Sequence, residues 1–369
     1  MRPFPATAGT DPLAHRAKFS HKGMMLNKIF GFIACATVAL PLVPACAQGA
    51  GSNAASFDTY LAGLSRQARA QGVSEATIDR MTSGMTPDQR VIELDRAQPG
   101  TPSQSGSFPS VAAYLARHVD GARINGGRRV YAETRGIGAD LERRYGVPQS
   151  ILVAIFGHET AYGQVLGGFD LARSLATLAW EGRRRALFEP EFIALMKIAD
   201  RNRYSRDQLR GSWAGAFGNP QFLPSVYLRL ATDGDGDGHA DLFNSRADTL
   251  ASIANYFRDA GWRRGEPWGV PANVSAGFDW SGVQTRIVSP VCPRVHDRHS
   301  AWRTVAEWRS LGVRPQGAVG EKVMASLFQP DGPGTPAYLL TGNYRAILEY
   351  NCSNYYAMSV GLLADAIAG

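Results

Sequence analysis

Little in this chain of 369 residues suits metal or thiol chemistry, since it holds four cysteines and seven histidines. No histidine spacing forms a zinc-type set, so a hydrolytic metal site is not expected. No internal repeat is present, which sets aside repeat architectures. The longest apolar run, Ile29 to Val43, has about fifteen residues, short of the twenty or so that span a bilayer. The formal charge is +7, but five basic residues and one acidic residue precede position 48, leaving 34 basic against 31 acidic residues, or +3. That balance is no nucleic-acid footprint.

What is present is 44% apolar and 19% charged side chains, enough for a packed core and for two domains. Lys28, the apolar run and Ala45-Cys46-Ala47 have the layout of a secretory signal, so residues 1–47 are set outside the fold. The stretch before Met24-Met25 is long for a charged leader, which leaves either methionine open as the true start. Val43-Pro44-Ala45-Cys46 also resembles a lipoprotein processing box, and a lipid anchor at Cys46 stays open beside simple cleavage. Either outcome leaves Cys292 and Cys352 as partners, and an oxidising compartment would let them pair.

Residues 48–55 are small and polar, as in a tether. A helical part is expected over 56–262, a small β-containing part over 263–343 and a C-terminal helix over 344–369, giving an α+β fold that is predominantly α. Phe57, Leu61, Leu64 and Ala68 recur at helical spacing, and Ser74 is placed to cap a second helix carrying Ile78 and Met81. Residues 84–108 read as loop, and Val111 to Tyr145 as two amphipathic helices. Gly146-Val147-Pro148 then ends one helix and opens the next. Short runs such as Thr285–Val288 and Tyr338–Leu340 carry the β signal.

Ile151, Leu152, Ala154 and Ile155 form an apolar stripe, and Glu159 lies four residues beyond Ile155 on it. Its carboxyl is therefore expected to point inward. Burial of an unpaired carboxylate costs several kcal/mol, roughly, and raises its proton affinity, which suits a general acid. Gly157 and Gly163 would let the backbone turn and a polymer approach. His158 falls on a different helical face, where polar packing is expected.

Gly157-His158-Glu159-Thr160-Ala161-Tyr162-Gly163 resembles the catalytic glutamate motif of the lytic murein transglycosylase B family, glycoside hydrolase family 103. Tyr145–Pro148, Gly211–Gly218 and Gln221–Ser225 resemble that family too, and together the likeness covers about residues 56 to 366. The resemblance implies a lysozyme-like, α-rich catalytic core that cuts the β-1,4 bond between N-acetylmuramic acid and N-acetylglucosamine of peptidoglycan. It implies a 1,6-anhydro product, Glu159 as the single acid/base and no cofactor for the chemistry. It also implies sugar contacts by Ser212 and Gln221, and cleft positions for Tyr114, Tyr256, Tyr350, Asn351 and Tyr356, whose rings could hold pyranose faces.

Hydrolysing glycosidases need a second carboxylate. A lysozyme-type reading would require an aspartate or glutamate across the cleft, Asp170 and Glu181 being the first two acidic residues beyond Glu159 in sequence. A binding scaffold without chemistry is the other alternative. Arg183, Arg184 and Arg185 read as a solvated helix face.

Residues 233–244 place Asp233, Asp235, Asp237 and Asp241 at positions 1, 3, 5 and 9 of an EF-hand-like loop, with Gly238 at position 6. His239 would contribute its backbone carbonyl, and Asn244 stands where glutamate normally closes the site, so any calcium would be held more weakly or with altered geometry. The alternative is a polar turn, with Asp248 capping the next helix; in either case the loop is structural. A Cys292–Cys352 bridge would fix the tyrosine cluster against the smaller subdomain. The expected partners are peptidoglycan glycan strands, and other cell-wall enzymes stay open; the expected location is periplasmic or secreted.

Overall fold

The computed structural model describes residues 56–98, 110–284, 292–296 and 298–369. The signal, tether and lipid-anchor assignments and the Thr285–Val288 run lie outside the described residues. No described helix is long and apolar enough to cross a membrane.

The chain opens with α1 (Phe57–Ala70), α2 (Glu75–Thr82) and α3 (Gln89–Arg96). Ser56, Ser74 and Asp88 cap these helices by accepting backbone N–H groups, as short polar side chains do at helix starts. The third helix replaces the expected loop: Val91, Ile92 and Asp95 give it a buried face, too short a period to stand out in sequence. Next come α4 (Val111–His118), α5 (Gly121–Glu133) and α6 (Arg135–Tyr145), three helices where two were expected, because Asp120 starts a new one.

Gly146 ends α6 in the left-handed conformation, and Pro148 caps α7 (Gln149–Thr160). Then follow β1 (Phe169–Asp170), α8 (Leu171–Glu181), α9 (Arg185–Asn202), β2 (Arg210–Gly211), α10 (Pro224–Leu230) and α11 (Arg246–Asp259). The helices share one apolar core that includes Leu64, Leu152, Phe156, Leu175, Phe192, Phe217, Phe257 and Met358.

A second, smaller core lies under an antiparallel sheet in the order β4-β6-β7-β3-β5. Its strands are β3 (Gly269–Val274), β4 (Trp302–Thr304), β5 (Val313–Pro315), β6 (Met324–Phe328) and β7 (Ala337–Leu340), with the short helices α12 (Pro293–His296) and α13 (Val305–Ser310) between them. Trp308 is fully buried there, and its Nε1 donates to the Ala325 carbonyl at 2.9 Å.

The expected single C-terminal helix is two, α14 (Gly342–Tyr350) and α15 (Asn354–Ala368). Asn351 is extended at φ −148°, and Ser353 caps α15. The break lets α15 return against α7 and α5.

Candidate active site

α7 is apolar nearly all round: Ile151 to Gly157 are buried, not only the stripe read from sequence. The helix is central to the core, with Gln149 and Ser150 at its start and its ionisable residues, His158 and Glu159, at its C-terminal end. Glu159 is there half-buried at the rim, not pointing into the core as the stripe suggested. Ala161 and Tyr162 both take positive φ, 49° and 61°, a conformation that non-glycine residues hold only where surroundings enforce it. Thr160 Oγ1 accepts the Gly163 N–H at 3.1 Å, fixing this turn directly beside the carboxylate.

Tyr356, on α15, donates its hydroxyl to Glu159 Oε1 at 2.6 Å. Tyr114 on α4, Tyr256 on α11 and Tyr350 at the end of α14 complete the surround. Burial first, and then the negative charge of Glu159, raises the hydroxyls of Tyr350 and Tyr356 well above their ordinary value. Burial chiefly, with Glu159 adding, pushes Tyr114 up to about 12; in Tyr256 the order is burial, Glu349, then Asp259 and Glu159. All four remain protonated at neutral pH, and three of them spend that proton inside the protein: Tyr356 on Glu159, Tyr350 on the Pro220 carbonyl and Tyr256 on the Glu349 carbonyl.

Several residues expected to touch sugar are committed inside the protein. Tyr350 is fully buried; its hydroxyl donates to the Pro220 carbonyl at 2.5 Å, and its ring stacks on Phe257 at 5.8 Å. Asn351 and Tyr356 are 6% and 8% exposed, so neither they nor Tyr350 offer a broad face to a pyranose. Gln221 holds φ 48° and spends its Nε2 on the carbonyls of Gly218 and Leu166, at 2.9 and 3.3 Å, bracing two loops. Tyr256 donates to the Glu349 carbonyl at 2.7 Å. Ser212 and Tyr114 are half-buried; Ser212 Oγ accepts the Ala216 N–H at 3.0 Å.

Gly157 serves packing rather than polymer approach: a Cβ there would come within 2.5 Å of the Tyr162 ring. That ring's hydroxyl donates to the Arg123 carbonyl at 2.7 Å. Arg123 Nη1 lies 3.2 Å from His158 Nδ1, and burial, then Arg123, pushes His158 down to about 3. The His158 ring sits 5.7 Å from that of Tyr356, and the His118 ring stacks on Tyr114 at 3.9 Å. This imidazole and guanidinium layer behind Tyr356, Tyr162 and Tyr114 had no sequence signal beyond the adjacency of His158 and Glu159.

The two acidic residues named for a lysozyme-type reading are engaged elsewhere. Asp170 caps α8 and pairs with Arg206 at 2.6 Å; Glu181 pairs with Arg96 at 3.2 Å and accepts the Arg183 N–H at 3.0 Å. Arg183 and Arg185 are exposed and Arg184 half-buried, but the face is not merely solvated, because Arg183 and Arg184 both pair with Asp95, a carboxylate 1% exposed. Arg185 lies over the Tyr60 ring at 5.0 Å.

Where the 233–244 loop meets the first turn of α11, carboxylate oxygens of Asp233, Asp235 and Asp248 come within 4.8 Å of one another. Asp248 was expected as a helix cap; Ser245 is the cap, and the fully buried Asp248 instead accepts the Gly234 and Asp241 N–H groups, each at 2.7 Å. Burial raises its carboxyl, with Asp235 and Asp233 adding, so the fold gathers negative charge with hard oxygen donors, the set that suits Ca²⁺ or Mg²⁺. Asp237 and Asp241 turn inward on their own loop, accepting His239 N–H at 2.8 Å and Phe243 N–H at 2.9 Å. Asn244 donates its amide to Asp241 Oδ2 at 2.9 Å, so it does not close the loop as an acidic residue would.

Cys292 and Cys352 form a disulfide with a Cα–Cα distance of 5.4 Å. It ties the start of α12 to the break between α14 and α15, three positions before Tyr355 and four before Tyr356.

One half-buried glutamate at the end of a buried central helix, bonded to a tyrosine in an α-rich fold with a small antiparallel sheet, defines a transglycosylase-type domain. The transglycosylase SLT domain model matches residues 56–365, and the chain belongs to that family. It is 35% identical over 226 residues to membrane-bound lytic murein transglycosylase B of Escherichia coli K12, covering 61% of this chain and 58% of that protein. The chain thus spans less than two thirds of that curated relative. SltB3 of Pseudomonas aeruginosa, solved in complex with NAG-NAM-pentapeptide, matches with a TM-score of 0.76 and 37% identity over 85% of this chain and 80% of that one. Escherichia coli Slt35, solved in complex with calcium, matches with a TM-score of 0.69 and 27% identity over 86% and 93%.

Proposed function

We propose that the protein is a lytic transglycosylase acting on peptidoglycan, with Glu159 as its single acid/base. Glu159 protonates the glycosidic oxygen as the bond from the muramyl anomeric carbon to that oxygen breaks. The resulting carboxylate then takes the proton of the muramyl 6-hydroxyl as that oxygen bonds to the anomeric carbon, leaving a 1,6-anhydro end and regenerating the acid. No water is consumed, so no second carboxylate is required, whereas hydrolysis would need one. The observation that carries the reading is the 2.6 Å bond from Tyr356 to Glu159, taken with the engagement of Asp170 and Glu181 elsewhere. Tyr356 stabilises the carboxylate that forms mid-reaction, since a hydrogen bond to an ionised acceptor is stronger than one to a neutral acceptor.

Ser212, Gln221, Tyr114, Tyr256, Tyr350, Asn351 and Tyr356 are proposed to shape the glycan site, Tyr350, Asn351 and Gln221 from beneath it. Asp233, Asp235 and Asp248 would hold a structural Ca²⁺, which supplies loop rigidity and no chemistry. The site of action is the periplasm, with lipid anchoring at Cys46 or simple secretion distinguished by mass spectrometry of the mature N-terminus.

The functional test is mass spectrometry of purified peptidoglycan digested by the protein and by Glu159→Gln. Muropeptides lighter by one water than hydrolysis products, lost in the variant, are expected; reducing-end products would establish a hydrolase, and no release would establish a binding scaffold.

A further inference from the structure

α4 is a thinly held helix. Of its eight residues only Val111 and His118 are buried, yet it carries Tyr114, half-buried beside Tyr355 at a ring distance of 5.1 Å and stacked on His118. Something must fix its position if Tyr114 is to stand where it does relative to Glu159.

Beside the packing of α15 on the helix and of Leu115 on the core, its start is held by a contact from far along the chain. Asp331 lies in the loop 329–336 that joins β6 to β7, and its carboxylate accepts two backbone N–H groups of α4. Oδ1 takes Val111 at 2.7 Å and Oδ2 takes Ala112 at 3.0 Å, across 220 and 219 positions of sequence. Ser110 Oγ takes the Ala113 N–H at 3.1 Å. The first three N–H groups of the helix, which have no partner within it, are thereby satisfied, two of them by a charge placed favourably at the helix's positive end.

The loop is built to hold Asp331 still. Gln329 Nε2 donates to the Thr335 carbonyl at 2.7 Å, Thr335 Oγ1 donates to the Gly332 carbonyl at 2.7 Å, and Gly332 N–H donates to the Gln329 carbonyl at 3.2 Å. Gly332 and Gly334, at φ 90° and 82°, allow the tight path. The flanking strands β6 and β7 pair through Phe328 and Tyr338, and Leu327 and Leu339 anchor the hairpin in the second core.

We propose that Asp331 is a positioning residue: through it the small sheet clamps α4 and sets Tyr114 as one wall of the glycan site. This rests on the transglycosylase reading. It gives the sheet a part in substrate binding although none of its strands supplies a residue to the surround of Glu159. A glycan would meet a preformed wall and would not have to order α4 on binding.

The test compares the parent with Asp331→Ala and Asp331→Asn, the latter keeping one acceptor oxygen. Two readouts are used: hydrogen exchange in the peptide spanning 110–118, and KM and kcat for a soluble alternating NAG-NAM oligosaccharide. Asp331→Ala is expected to speed exchange and raise KM by roughly five-fold, about 1 kcal/mol, the usual size of a lost helix cap. Its kcat should stay within about two-fold and its unfolding midpoint near the parent's, and Asp331→Asn should recover most of both readouts. Added to Tyr114→Ala, Asp331→Ala should raise KM no further. Unchanged exchange, unchanged KM, or a KM effect that persists in full on the Tyr114→Ala background would overturn the proposal. A parent that yields no anhydro product would overturn the transglycosylase reading instead, and exchange in α4 would still report the clamp.

Discussion

Tyr356 and Glu159 are 197 positions apart in sequence and 2.6 Å apart in space, hydroxyl to carboxylate. The bond joins the C-terminal helix α15 to the end of the central helix α7.

Tyr356→Phe removes only the donor from this pair. A hydrogen bond to a charged group contributes about 1.5–3 kcal/mol, so kcat for anhydro-product release should fall by roughly ten- to a hundred-fold, with KM little changed. Release measured by mass spectrometry over a range of glycan concentrations checks this, and an unaltered kcat would remove Tyr356 from the chemistry.

Gly157→Ala puts a methyl 2.5 Å from ring atoms of Tyr162. That ring cannot swing freely, because its hydroxyl is held by the Arg123 carbonyl. Overpacking of this kind costs about 1–3 kcal/mol, and the displaced ring should disturb the turn after Glu159. Denaturant unfolding and product release should both show a loss; a stable, fully active variant would mean that the ring has room to move.

Burial holds His158 and His299 down to about 3 and His296 down to about 4. Their ordinary value is 6.5, so between these limits the unfolded chain binds protons that the folded chain does not. Stability is therefore fully present above about pH 6.5 and falls as pH drops toward the folded values. At pH 5 each of the deepest two would cost about 2 kcal/mol. Thermal unfolding followed from pH 7 to pH 5 should show a falling midpoint, and His299→Gln should flatten the curve.

Calcium should stabilise the fold without being needed for chemistry. At ten times its dissociation constant it would add about 1.4 kcal/mol, read as a rise in unfolding midpoint that a chelator reverses. Asp248→Asn should abolish the response. A midpoint indifferent to calcium would leave the 233–244 loop as a turn closed by its own backbone hydrogen bonds.

The legible parts of this protein were those written in local pattern. Phe57, Leu61, Leu64 and Ala68 recur at helical spacing and are buried; Ser74 caps a helix; Gly146 and Pro148 punctuate α6 and α7. The Glu159 motif stood out because glycine, polar and aromatic residues crowd one short stretch. What could not be read depends on distant partners. Tyr350 reads as an exposed aromatic until Pro220 and Phe257 enclose it. Arg183 and Arg184 read as unpaired charges until Asp95, nearly ninety positions earlier, meets them. Asp248 reads as a helix cap because its bonds to Gly234 and Asp241 follow no helical spacing.

The return of α15 to α7 also sets an order in time. A ribosome making about 5–20 residues per second takes roughly ten to forty seconds to travel the 197 positions from Glu159 to Tyr356. Throughout that interval the emerging polypeptide carries its acid without the hydroxyl that braces it. A product truncated before residue 354 lacks the whole of α15, and with it both the main packing partner of α7 and the hydroxyl that braces Glu159.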